Sequence, residues 1–76
     1  MSKSIHTNEY TIVMKKLRDA RESTGFTQAE AAEKLGKPQS YISKIERGER
    51  RIDVVELAKL AKCYSKDITY FIQWIP

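Results

Sequence analysis

Between Pro38 and Gly48 the chain sets an amide, two hydroxyls and two cations at helical spacing: Gln39, Ser40, Ser43, Lys44 and Arg47. Ile42 and Ile45 fall on the other side, so this short segment has one apolar face and one row of hydrogen-bonding groups. Such groups break no bonds by themselves. They suit another polar surface, and the base edges and phosphates of a DNA major groove, wide enough to admit a helix, are one they fit. Arg47, Arg50 and Arg51 cluster at the far end with Glu49 beside them, placed either to meet phosphates or to form a solvated loop. Enzymatic chemistry has no comparable footing. His6 is the only histidine, Cys63 has no base to activate it, and the glycines form no phosphate loop. No catalytic residue, no cofactor and no metal site is therefore expected.

The elements that hold this row are legible from local signals. Tyr10, Val13, Met14, Leu17, Ala20 and Arg21 form one inward stripe of a first helix, with Asn8 as its N-cap and Ser23, Thr24 and Gly25 at its end. Thr27 and Glu30 have the spacing of a capping box, which opens a second helix of about two turns closed by Gly36. Pro38 has the fixed φ of a first helical turn, so a third helix of about nine residues runs to Gly48. Asp53 and Glu56 make a second capping box, with Leu57, Ala58, Leu60 and Ala61 as the apolar face of a helix closing near Tyr64. Asp67 caps a last short helix carrying Ile68, Phe71, Ile72 and Ile75. The expectation is all-α: five helices, no strand and no repeat.

Seventy-six residues suffice for one domain, expected at 9–76 behind a mobile arm at 1–8. A composition 41% hydrophobic and 32% charged is too apolar for a disordered tail and too poor in breakers for many short strands. One cysteine cannot form an internal disulfide, which points to a reducing cytoplasm. No apolar run approaches the ~20 residues of a membrane span, so no membrane partner is expected. The net charge of +4 favours polyanions, and the excess precedes Asp53: from Asp53 onward three basic residues balance three acidic ones.

With only Gly36 and Lys37 between them, the second and third helices must cross steeply, and Ala29, Ala31 and Ala32 supply small residues for close approach to Ile42 and Ile45. Phe26-Thr-Gln-Ala-Glu-Ala-Ala-Glu-Lys-Leu-Gly36 followed by Pro38-Gln-Ser-Tyr-Ile-Ser-Lys-Ile-Glu-Arg-Gly48 resembles the Cro and phage-repressor type of helix-turn-helix, the Xre family. The resemblance implies a compact bundle of the lambda-repressor-like type, with the helix-turn-helix at helices two and three, binding double-stranded DNA as a small transcriptional regulator, most often a repressor. It places Gln39, Ser40 and Lys44 among base-reading positions, with Ser43 either reading a base or permitting close approach. It makes Gln28, helped by Thr27 and the helix dipole, a phosphate clamp, the alternative being ordinary helix surface. The Tyr41 hydroxyl either meets a phosphate or packs against the turn. Arg21 and Glu46 match a structural ion pair of the family.

One such unit offers DNA only about 600–1,000 Å². A homodimer reading a palindromic operator is therefore expected. The apolar segment 67–76, with Tyr70, Phe71, Trp74 and Ile75, is its candidate surface, unless these residues simply close the monomer's core. A second reading uses the same fold as a protein-binding module, an antitoxin or regulatory adaptor with a protein partner.

Overall fold

A computed structural model describes residues 8–76, which form five helices and no strand: α1 (Asn8–Ser23), α2 (Gln28–Leu35), α3 (Gln39–Glu46), α4 (Val54–Cys63) and α5 (Thr69–Ile72). Of the expected arm, 1–7 and with them His6 lie outside the described residues. Asn8 belongs to α1 rather than capping it.

Both capping boxes form. The Thr27 hydroxyl accepts from the Glu30 amide at 3.1 Å while the Glu30 carboxylate accepts from the Thr27 amide at 2.9 Å. Asp53 and Glu56 repeat the arrangement at 2.8 and 2.9 Å at the start of α4. Gly36 ends α2 in the left-handed region at φ 68°, and the Lys37 amide then closes back on the Ala32 carbonyl at 2.9 Å. Pro38 is the N-cap of α3 instead of its first residue, because its ψ of 157° is extended although its φ of −70° suits a helix. The expected nine-residue third helix is eight residues long, and α5 is a single turn that leaves Ile75 beyond it. Asp67 still organises that turn, accepting from the Thr69 amide at 2.9 Å and hydroxyl at 2.8 Å. Those two bonds, the amide's first, hold its carboxyl below the usual range.

Packing is centred on the α2–α3 crossing; α1 lies against α3 and α5, and α4 against α2. The most deeply buried side chains are Leu17, Ile42, Ile45, Leu60, Tyr64 and Phe71, with Ala20, Ala31 and Ala32 filling the close approaches. Ala29 and Ala58 were expected inside and are exposed. Each stands two residues, about 200°, from a buried neighbour (Ala31, Leu60) and so turns outward. Phe71 is 0% exposed, which removes it from any surface between molecules: it fills the space beneath α1 that a one-turn α5 exists to close. Gly48 combines a φ of 77° with close approach, since a Cβ there would stand 3.1 Å from Met14 Cε. The third helix must therefore stop where it does for the chain to pass over α1. Among the described residues no helix is long and apolar enough to cross a membrane.

Candidate nucleic-acid interface

The face of α3 opposite Ile42 and Ile45 is open. Gln39, Ser40 and Lys44 are exposed and spend no side-chain hydrogen bond on any described residue, while Ser43 is half-buried and donates to the Ser40 carbonyl at 3.3 Å. Three free polar groups thus stand together on two turns of helix, and the fourth expected base reader is partly committed to its own backbone. The helix that carries them is held at both ends.

At its C-terminal end, Glu46 receives Arg21 in fork geometry, Nε to Oε2 at 2.7 Å and Nη2 to Oε1 at 3.0 Å, and both side chains are under a tenth exposed. The remaining Arg21 nitrogen donates to the Phe26 carbonyl at 2.8 Å. The expected ion pair therefore ties α1, the loop before α2, and α3 together. Its bonds to Glu46 hold the guanidinium even more firmly protonated than usual. Gln28 joins it, its amide donating to Glu46 Oε1 at 3.0 Å. The expected phosphate clamp is in this state a third ligand of Glu46; an amide nitrogen carries a second proton, so the tie orients Gln28 without exhausting it. Thr27 is exposed beside it with its hydroxyl accepting the cap bond. Next to the pair, burial pushes the Tyr64 phenol well above its ordinary range, and the Glu46 charge adds to the effect.

At the N-terminal end, Tyr41 is half-buried and its hydroxyl donates to Glu56 Oε2 at 3.3 Å. Its ring carries the Arg50 guanidinium at 4.8 Å and the Lys37 ammonium at 5.3 Å. Burial, then the Glu56 charge, raises the Tyr41 pKa, so the group stays a neutral donor. Arg50 is not a free loop cation: it grips Glu56 with both terminal nitrogens, at 3.2 and 2.9 Å, and donates to the Arg51 carbonyl at 2.8 Å. The Glu56 carboxyl is held below its ordinary value by Arg50 first and the Asp53 amide second. Arg47 is exposed and pairs with exposed Glu49 at 3.1 Å, a contact of little strength. Arg51 is exposed and lies 5.0 Å from the Tyr10 ring centre. The Tyr10 hydroxyl bridges the same loop, donating to the Arg50 carbonyl at 3.2 Å and accepting from the Ile52 amide at 2.9 Å.

Sequence reasoning did not find the Glu56 junction or the Gln28 bond to Glu46. The second capping box was visible, yet nothing in the six-residue step from Arg50 to Glu56 marks them as partners. In the last segment the expected association surface also divides. Phe71 is core, and Tyr70 is half-buried, edge-on to Phe71 at 4.9 Å with Lys16 and Lys66 over its ring. Trp74 donates to the Phe71 carbonyl at 2.7 Å and packs on the core. Only Ile75 is on an exposed apolar surface, with Ile72, Val54 and Val55. Cys63 is half-buried and its thiol is pushed up by burial. Among the described residues no group of three potential ligands could hold a metal ion.

Comparison with known proteins agrees with this geometry. A family described as helix-turn-helix matches residues 17–71, from the middle of α1 to α5. The HTH-type transcriptional regulator ImmR of Bacillus subtilis (strain 168) is 40% identical over 58 residues, 76% of this chain. The chain spans about half the length of that relative, 46% of it. A crossed pair of short helices with a turn glycine, a buried ion pair beneath the second and an open polar face above it is what the matched region consists of, and the chain belongs to the Xre type of helix-turn-helix, a non-enzymatic DNA-binding family.

Proposed function

We propose that the chain is a cytoplasmic, sequence-specific transcriptional repressor, two copies of which place α3 in successive major grooves of a palindromic operator. The observation that carries this reading is the disposition of Gln39, Ser40 and Lys44, unpartnered on one face of a helix whose other face is buried. An unsatisfied row on a rigid support costs little ordering when it meets bases. A glutamine suits an adenine edge and a lysine suits guanine O6 and N7. Gln28 and Thr27 at the start of α2, with Lys37, Arg47 and Arg51, supply the phosphate contacts that set register.

The dimer is best supported at the start of α4 and the end of the chain. Val54 is 70% exposed, and Ile72 and Ile75 line a groove of about 360 Å³ with Tyr10, Val13, Ile52 and Leu57. Glu9 and Asp53 line the same groove. Selection from a random duplex pool tests the whole reading. The expected product is a twofold-symmetric site with half-sites about 34 Å apart. A pool enriched without a consensus would remove sequence-specific binding, and a lone half-site would remove the dimer. Sedimentation as a monomer at high micromolar concentration, with and without the selected duplex, would remove the dimer independently.

A further inference from the structure

We infer that Glu56 is a positioning residue for DNA reading, and that it acts by withdrawing Arg50 from the phosphate-contacting set and welding it to the reading helix. The inference rests on the DNA-binding reading above. Four donors converge on this one carboxylate: both terminal nitrogens of Arg50, the Asp53 amide and the Tyr41 hydroxyl. A carboxylate has about four acceptor sites, so Glu56 is saturated. They come from three places. Tyr41 belongs to the first turn of α3, Arg50 to the loop after it and Asp53 to the cap of α4.

The consequences are mechanical and electrostatic. Tyr41 adjoins Ser40 and is one turn from Lys44, so a hydroxyl anchored to α4 fixes the roll of the reading face relative to the loop. The Arg50 guanidinium lies against the Tyr41 ring at 4.8 Å, and three of its hydrogen bonds end on the protein. Its charge is matched by Glu56 at 2.9 Å, so it can neutralise a phosphate and release a counterion from DNA only if the junction breaks. Arg51, which has no carboxylate partner among the described residues, is the loop cation left for a phosphate.

Glu56→Gln and Arg50→Gln separate this role from a phosphate contact. Glutamine at 56 keeps an oxygen for the Asp53 amide, so the capping box survives while the charge is lost. Binding is measured by anisotropy against a labelled random-sequence duplex and the selected duplex over a salt series. Freeing Arg50 in Glu56→Gln is expected to steepen the log–log salt dependence on random DNA by about one. Preference for the selected duplex is expected to fall about tenfold, the low end of one base contact. Arg50→Gln is expected to leave the random-DNA slope as in the wild type and to lose the same preference. An Arg51→Gln control is expected to flatten the slope by about one. A flattened slope in Arg50→Gln, equal to that of Arg51→Gln, would put Arg50 on a phosphate and overturn the inference, even should Glu56→Gln fail to fold. A selective wild type with both variants unchanged overturns it alone; a wild type without any preference overturns the DNA reading and this inference together.

Discussion

Replacing Arg21 with methionine keeps most of the side chain's stem and deletes the guanidinium above a carboxylate that is only 5% exposed. Glu46 then loses two of the three hydrogen bonds it accepts, retaining Gln28, and the Phe26 carbonyl loses its donor. Breaking a buried pair from one side costs about 3–5 kcal/mol because the surviving charge is stranded. The surviving Gln28 bond and the slight exposure of Glu46 place this case at the low end, about 3 kcal/mol. A chain of this size has a total stability of roughly 4–11 kcal/mol. The loss is therefore a large share of the whole, and melting should fall by about 12 °C or more. Urea unfolding followed by far-ultraviolet circular dichroism measures it, provided the m value is unchanged. The double variant Arg21→Met with Glu46→Leu is the informative companion. It strands no charge, so it should be more stable than Arg21→Met alone. A single-variant cost below about 1 kcal/mol, or a double variant as unstable as the sum of its parts, would refute the account of a desolvated, mutually dependent pair.

Three further outcomes follow from the same contacts. Lys44→Ala should weaken binding to the selected duplex by about 1–3 kcal/mol and relax preference at one base position; equal weakening on selected and random duplexes in anisotropy titrations would remove Lys44 from the readers. Gly48→Ala should destabilise by roughly 2–3 kcal/mol and Gly36→Ala by only about 1, since both need left-handed backbone but only Gly48 would press a Cβ to 3.1 Å from Met14; equal costs in urea unfolding would count against that contact. Because folding lowers the Glu56 pKa from its ordinary value of 4.5, the unfolded state binds more protons between the two values. The contribution is complete above the unfolded value and is lost as pH falls through the folded one. The stability gap between wild type and Glu56→Gln should thus narrow from about pH 7 to about pH 3, and a constant gap would refute the Arg50 attribution.

What the sequence disclosed and what it withheld divide by distance along the chain. Helix starts at Gln28 and Val54 follow from cap partners three residues apart, and the stop at Gly36 from one backbone conformation, all local physics. Ile42 and Ile45 declared the buried face of α3 by period alone, and with it the open face. The Arg21–Glu46 tie was reached through family resemblance, because no periodicity links positions 25 apart. Gln28 bonding to Glu46 and Arg50 gripping Glu56 depend on where folded helices bring their ends, which no local pattern encodes. The tail shows the same limit. Its apolar residues were conspicuous, but which of Tyr70, Phe71, Trp74 and Ile75 faces α1 is decided by a one-turn helix docking at one angle. Val54 and Val55, which open α4, are more exposed than any of them.

The same contacts change what the positive charge means. Six basic residues lie in 25–52, the part of the chain that contains α2 and α3. Counted as free cations, they would predict a salt dependence close to six phosphates per subunit. Arg50 is matched by Glu56, whereas the exposed Arg47–Glu49 contact is weak and leaves Arg47 available. Lys34, Lys37, Lys44 and Arg51 are without a carboxylate partner among the described residues. Charge-driven affinity is thereby cut by about one phosphate from the six that the composition suggests. Affinity for arbitrary DNA falls with it, while the proposed readers Gln39, Ser40 and Lys44 keep their side chains uncommitted among the described residues. Where one recognition unit offers DNA so little contact area, spending Arg50 on Glu56 favours discrimination over adhesion, and it does so with bonds that hold α3 in place.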